Sequence, residues 1–192
     1  MTQYARPNAD VADAEWVDQW SVAGELYQLI DESSASDSDY MTSMLTNPMS
    51  DSPGDCKIAL ADTVDDPDTE LDDHKVMYRA VGWDASMMGA PALIVSLYDT
   101  TVSTSTPIVT ETRSLGDANM SGDPFVTYTL ALNSTQAGNI LSYDDLQIWF
   151  KRQGGSSMND AVRVSQAWFE CADEPEEEEE DTTSPAFLLF VE

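Results

Sequence analysis

Residues 91–98 read Pro-Ala-Leu-Ile-Val-Ser-Leu-Tyr, and no other stretch limits the fold as much. Leu93, Ile94 and Val95 are consecutive. Successive side chains of a strand point to opposite faces, so at least one of the three must face away from the main core. That suits a central strand with both faces covered, or a strand at a subunit interface. A proline opens the run and Asp99-Thr100-Thr101 closes it, which bounds the strand at both ends.

Residues 55–171 supply further strands to pack around it. Cys56, Ile58 and Leu60 alternate with Lys57 and Ala59, and Val76, Tyr78 and Ala80 share one face of the next run. Residues 106–113 are rich in Thr and Val and suit an edge strand. Phe125, Thr127 and Thr129 alternate with Val126, Tyr128 and Leu130, and Leu146, Ile148 and Phe150 form another face. In the last strand, residues 161–171, Val162, Val164, Gln166 and Trp168 oppose Arg163, Ser165, Ala167 and Phe169. Asn133-Ser134 reads as the N-cap of one helical turn over 135–141. About eight short strands with regularly spaced turns predict an all-β chain, an antiparallel β-sandwich of jelly-roll type with extended N- and C-terminal arms. If the first and last core strands pair, Cys56 lies near Cys171, and in a reducing compartment both are expected as free thiols.

The ends differ from this core. Residues 1–54 read as an N-terminal arm with a short helix over 24–31 and a first strand over 40–45. Tyr4, Arg6, Pro7, Trp16 and Trp20 give it an aromatic, polar character without clean periodicity. Exposed Trp and Tyr favour docking, either on the chain's own domain or on a partner. Residues 172–192 combine an acidic linker, Glu176 through Asp181, with an apolar hexamer that contains Phe187, Leu188, Leu189, Phe190 and Val191. Like charges cannot pack as a strand, whereas the hexamer suits an arm that adds to a sheet edge, in this domain or in a neighbour.

The chain of 192 residues carries 36 acids against 8 bases, a formal charge of −28. No basic stripe could displace the counterions of nucleic acid, and an anionic membrane surface is excluded on the same ground. Such a charge also makes copies repel one another, so a multi-copy or homo-oligomeric assembly needs specific apolar contacts or cations. Residues 1–7 lack an apolar h-region and the longest apolar run is residues 186–191, so neither a signal peptide nor a membrane span is expected. Two cysteines make no disulfide scaffold, and synthesis in a cytoplasm is expected.

The residues carry little chemistry. His74 is the single histidine, which leaves no His-based catalytic pair and too few soft ligands for zinc. Abundant carboxylates make any one pair uninformative as a glycosidase signature. Gly154-Gly155 lacks the lysine and the spacing of a phosphate loop. The acidic loop over residues 65–73 could hold Ca²⁺, but from Asp66 the sixth position is Leu71, where an EF-hand needs glycine. A solvated loop is the simpler reading, and no metal, cofactor or catalytic residue is assigned. Trp16, Trp20 and Trp83 could stack on sugars, although core or interface packing is the commoner use of such residues.

Several short stretches share one order along the chain. They are Arg6-Pro-Asn-Ala-Asp-Val11, Trp16, Leu26-Tyr-Gln-Leu-Ile-Asp-Glu32, Asp37-Ser-Asp-Tyr40, Asp55-Cys56 and Ile58-Ala-Leu60. His74-Lys-Val-Met-Tyr-Arg-Ala80, Leu93-Ile-Val-Ser-Leu-Tyr98, Leu141-Ser-Tyr-Asp-Asp-Leu-Gln-Ile148 and Arg163-Val-Ser-Gln-Ala-Trp-Phe-Glu170 continue it. Over residues 4–171 this pattern resembles a family of tailed-bacteriophage virion structural proteins. The resemblance implies a β-sandwich of carbohydrate-binding-module type, used structurally, with no enzymatic residues to carry over. The segment after Cys171 departs from it. The expectation is therefore a non-enzymatic virion protein, a capsid decoration or cement protein. Its partners would be the major capsid protein or other virion proteins. The alternative is a tail- or fibre-associated glycan-binding module.

Overall fold

The computed structural model describes residues 2–43, 54–61, 73–84, 91–119, 121–154 and 160–172. Eleven strands form two antiparallel sheets among these residues. They are β1 (Thr2–Ala5), β2 (Pro7–Ala12), β3 (Val17–Asp18), β4 (Met41–Thr42), β5 (Cys56–Leu60), β6 (Lys75–Trp83), β7 (Ala92–Asp99), β8 (Val109–Ser114), β9 (Val126–Ala131), β10 (Leu146–Gln153) and β11 (Ala161–Ala172). One sheet runs β3-β4-β11-β6-β9, with β1 also paired to β11, and the other runs β2-β5-β10-β7-β8. The chain is an all-β sandwich, as its alternating runs predict.

β7 lies inside its sheet, between β10 and β8. Leu93, Val95 and Leu97 point into the sandwich and are fully buried. They meet Val76, Tyr78, Ala80, Val162, Val164 and Phe169 of the opposing sheet in one core. The other face of β7 is partly covered, with Ser96 and Tyr98 buried and Ala92 and Ile94 half-buried. Tyr98 is only 9% exposed because its ring stacks on Trp149 of β10, with centroids 3.8 Å apart. β8 is the edge strand expected from its Thr-rich sequence.

Three expectations are decided or corrected. First, of the two dockings open to the N-terminal segment, strands within residues 2–43 join both sheets of the chain's own domain. β1 pairs with residues 169–172 of β11, β4 pairs with Arg163 and Val164 of the same strand, and β2 pairs with β5. A strand twelve residues long offers ladder groups to two short partners end to end, and pairing satisfies backbone that would otherwise need water. Second, β11 pairs with β1, β4 and β6 and not with β5, so Cys56 and Cys171 belong to different sheets. Both are buried free thiols, and Cys56 Sγ lies 3.9 Å from Met41 Sδ.

Third, the register of β11 shifts between Val164 and Gln166. This bulge moves the buried set from Val162 and Val164 to Ala167, Phe169 and Cys171, where strict alternation predicts Gln166 and Trp168. Ser165 and Gln166 are buried all the same, beneath the segment over 30–37. Gln166 Nε2 donates to Glu32 O at 2.7 Å and Ala167 N to Ile30 O at 2.9 Å. Arg79 of β6 fastens that segment with two 2.7 Å bonds to Asp37. The short helix expected over 24–31 is a single 3-10 turn, Leu26–Leu29, whose first amides donate to Asp10. The helical turn α1 (Ser134–Ala137) begins where its cap predicts, with reciprocal bonds between Asn133 and Gln136.

Candidate functional site

Among the described residues, the non-glycine positions with positive φ are Ala14, Glu15, Ser21 and Glu25, all within one segment of the chain. Left-handed backbone is costly for such residues, and it persists where surrounding contacts over-determine it. Two tryptophans sit in this segment with opposite fates. Trp16 is fully buried, its ring centroid 6.4 Å from that of Phe150, and its indole N–H donates to Gly54 O. Trp20 is 78% exposed, and Val22 beside it is 57% exposed. Their presentation is fixed by Asp18. Its Oδ1 accepts from Trp20 N at 2.8 Å and from Val22 N at 2.7 Å, and its own amide donates to Val22 O at 2.8 Å. Ser21 N closes the turn on Asp18 O. The loop over 18–22 is a pinned turn that holds one large aromatic outward.

The other candidate contact residues are distributed as follows. Tyr4 is 53% exposed at the outer face of β1. Arg6 is half-buried and donates to Glu32 O at 2.7 Å, with its guanidinium 6.0 Å from the ring centroids of both Tyr4 and Trp168. Pro7 is buried at the start of β2. Trp16 belongs to the core and is unavailable to a partner, because the strands on either side of it carry it between the sheets. Phe187, Leu188, Leu189, Phe190 and Val191 lie outside the described residues, as does the acidic loop except for Asp73.

Trp83 does not share a platform with the buried Trp16. It lines a cavity of about 320 Å³ with Asp18, Gln19, Tyr40, Thr42, Ala161 and Arg163. The Arg163 guanidinium lies 3.8 Å from the Trp83 ring centroid and 4.9 Å from that of Tyr40. Burial pulls the affinity of Arg163 for its proton down, and Tyr40 partly opposes this. A second, smaller groove of about 200 Å³ lies on the outer face of the other sheet, where Ile94, Ser96, Tyr98, Thr110, Trp149 and Lys151 converge. Lys57 Nζ sits 3.6 Å from the Trp149 ring centroid, and Ser96 and Thr110 share a 2.8 Å hydroxyl bond.

Between the sheets, near their β8 and β9 edges, Tyr78 OH donates to Glu111 Oε1 at 2.7 Å and Arg113 pairs with Glu111 Oε2 at 2.6 Å. Burial, then Glu111, pushes the Tyr78 hydroxyl well above its ordinary range. These two bonds centre on Glu111 and tie β6 of one sheet to β8 of the other, while Arg113 Nε has no hydrogen-bond partner among the described residues. His74 is fully buried, with Nε2 2.8 Å from Tyr143 OH and its ring against Phe169. Among the described residues no group of three His, Cys, Asp or Glu side chains is placed to hold a metal ion, and no helix is long and apolar enough to cross a membrane.

Sequence reasoning singled out Trp20 and Trp83 and passed over Arg163 and the Tyr98–Trp149 stack. The usable signals were a lone arginine in the Val-rich start of β11, and Gln147, Trp149 and Lys151 alternating with the core residues of β10. Compared with protein-family models and with curated protein sequences, the chain finds no match.

Proposed function

We propose that this chain is a non-enzymatic structural protein of a bacteriophage virion, a capsid decoration protein that docks in many copies on the major capsid protein and stabilises the shell. The observation that carries this reading is Trp20, 78% exposed on a turn that Asp18 holds rigid. An aromatic anchor whose backbone is already ordered loses little entropy on docking, and tryptophans of this kind dominate interface energies. Val22 extends the apolar patch, while the charge of −28 keeps undocked copies apart.

Two further features support it. We read the interleaved strand orders β4-β11-β6-β9 and β5-β10-β7-β8 as a jelly roll, an architecture used in viral capsid and lectin domains. The resemblance of residues 4–171 to phage virion proteins points the same way. Cementing acts by burying apolar surface across subunit joints, so that expanding or rupturing the shell must expose it again.

The test is to add purified protein to shells prepared without it. Wild type should bind and raise the temperature at which shells rupture. Trp20→Ala should bind more weakly by about 2–4 kcal/mol, roughly 30- to 1,000-fold, with its own melting temperature unchanged. Equal occupancy by both proteins would remove Trp20 from the account, and no binding by wild type would remove the decoration role itself.

A further inference from the structure

Of the five arginines, Arg6, Arg79, Arg113 and Arg152 each donate to an oxygen. Arg163 donates to none among the described residues, and its Nε is sealed from solvent without a partner. This is notable in a chain with 36 acids and 8 bases, where a carboxylate partner is the easiest thing to supply. A partly desolvated charge left without a counter-ion costs stability. The rings of Trp83 and Tyr40 offset only part of this, since cation–π contacts contribute about 0.5–2 kcal/mol. The guanidinium lies against its aromatic neighbours, and among the described residues its donors meet no carboxylate.

The cavity it lines has a size and chemistry of its own. At about 320 Å³ it falls at the small end of ligand sites. Trp83 and Tyr40 form apolar walls. Thr42 brings a hydroxyl and Asp18 a carboxylate. Asp18 is committed through Oδ1 to the amides of Trp20 and Val22, and no bond to its Oδ2 is formed by those amides. We infer that this cavity is a binding site for a carboxylated monosaccharide, a uronic acid unit, whose carboxylate pairs with Arg163 and whose ring lies against Trp83 and Tyr40. Guanidinium and carboxylate match as two parallel N–H···O bonds. The hydroxyls of the sugar meet Thr42 and Asp18. An acidic peptide side chain would satisfy the guanidinium but leave most of the cavity empty. Distant acids do not prevent this, because at physiological salt charges beyond about 8 Å are screened, and Asp18 in the cavity lining is left to accept from a sugar hydroxyl. The site shares Asp18 with the turn that presents Trp20, but sugar binding by the free protein does not depend on shell docking.

The test uses the free, ¹⁵N-labelled protein and three probes at matched ionic strength: sodium glucuronate, glucose and sodium acetate. Glucuronate should shift the Trp83 indole N–H and Arg163 Nε–H resonances saturably. Glucose and acetate, each lacking half of the recognition, should bind at least about tenfold more weakly. Arg163→Lys, which keeps the charge but loses the planar fork, should weaken glucuronate by about tenfold, and Arg163→Ala should abolish saturation. Glucuronate shifts confined to other parts of the protein, or a response equal to that of glucose or of acetate, would overturn the proposal. The wild-type titration decides this whether or not the variants fold.

Discussion

Asp99 gives the sharpest test of how the sandwich is held at one end. It closes β7, is 1% exposed, and spends both carboxylate oxygens on neighbouring segments. Oδ1 accepts from Thr101 N at 2.9 Å and from the Thr101 hydroxyl, which tightens the turn after β7. Oδ2 accepts from Leu141 N at 2.7 Å and Ser142 N at 2.9 Å, which fastens the chain leading into β10. Burial pushes this carboxyl up, but the hydrogen bonds outweigh it and hold it below the ordinary carboxylate range. Asp99→Asn keeps the shape. Its best placement turns NH₂ toward Thr101, whose hydroxyl can rotate to accept, and leaves one buried N–H without an acceptor, at about 1–3 kcal/mol. The bonds to Leu141 and Ser142 lose their charge assistance, about 1 kcal/mol each. The sum is about 3–5 kcal/mol, or roughly 6–20 °C in melting temperature for a chain of this size. Calorimetry at pH 7 measures it. The difference between wild type and variant should shrink as pH falls below about 4. The native carboxyl binds its proton less readily than the unfolded one, so the unfolded state takes up more protons and the wild-type advantage is lost through the native pKa. A shift below about 2 °C, or a difference that does not vary with pH, would refute the role given to these four bonds.

Other predictions concern the core and the caps. Trp16→Ala should cost about 3–5 kcal/mol by urea unfolding, because it empties a site against Phe150, whereas Trp20→Ala should cost almost nothing. Burial, then Asp10 and Asp13, pushes the Cys56 thiol far above its ordinary range, and Cys171 is equally enclosed. Neither thiol should react with a water-soluble disulfide reagent at pH 8 until denaturant is added, and rapid labelling of the native protein would contradict their placement. Asn133→Ala should lower stability by about 1 kcal/mol through loss of its bond to Gln136 N, and an unchanged melting temperature would show that the cap is redundant.

Much of the fold was legible because two-residue alternation survives wherever one strand face is buried. The strands from 56 to 60, 75 to 83 and 126 to 131 lie close to where Cys56, Val76 and Phe125 open their patterns. The consecutive Leu93, Ile94 and Val95 marked a strand covered on both sides, and the cover proves to be partly aromatic, from Trp149 over Tyr98. What escaped was set by tertiary contact. The bulge near Ser165 changes which residues of β11 face inward, and no local pattern announces it. β1 and β3 are too short to show a period, so their sequence resembles an arm, whereas β4 falls inside the first strand expected over 40–45. The sites divide in the same way. The value of Trp20 depends on a turn that Asp18 builds, and Arg163 stands out because it donates to no oxygen among the described residues, which only spatial neighbours reveal.

The decoration role is tested most directly by counting the protein. Its mass in solution by light scattering should be taken together with its copy number in the particle from which it comes. A small soluble species present on the order of hundreds of copies per particle is the predicted result, because a closed symmetric shell repeats each docking face many times. A count of about six or twelve would move the protein to a tail or neck ring, and absence from any particle would contradict a virion role altogether.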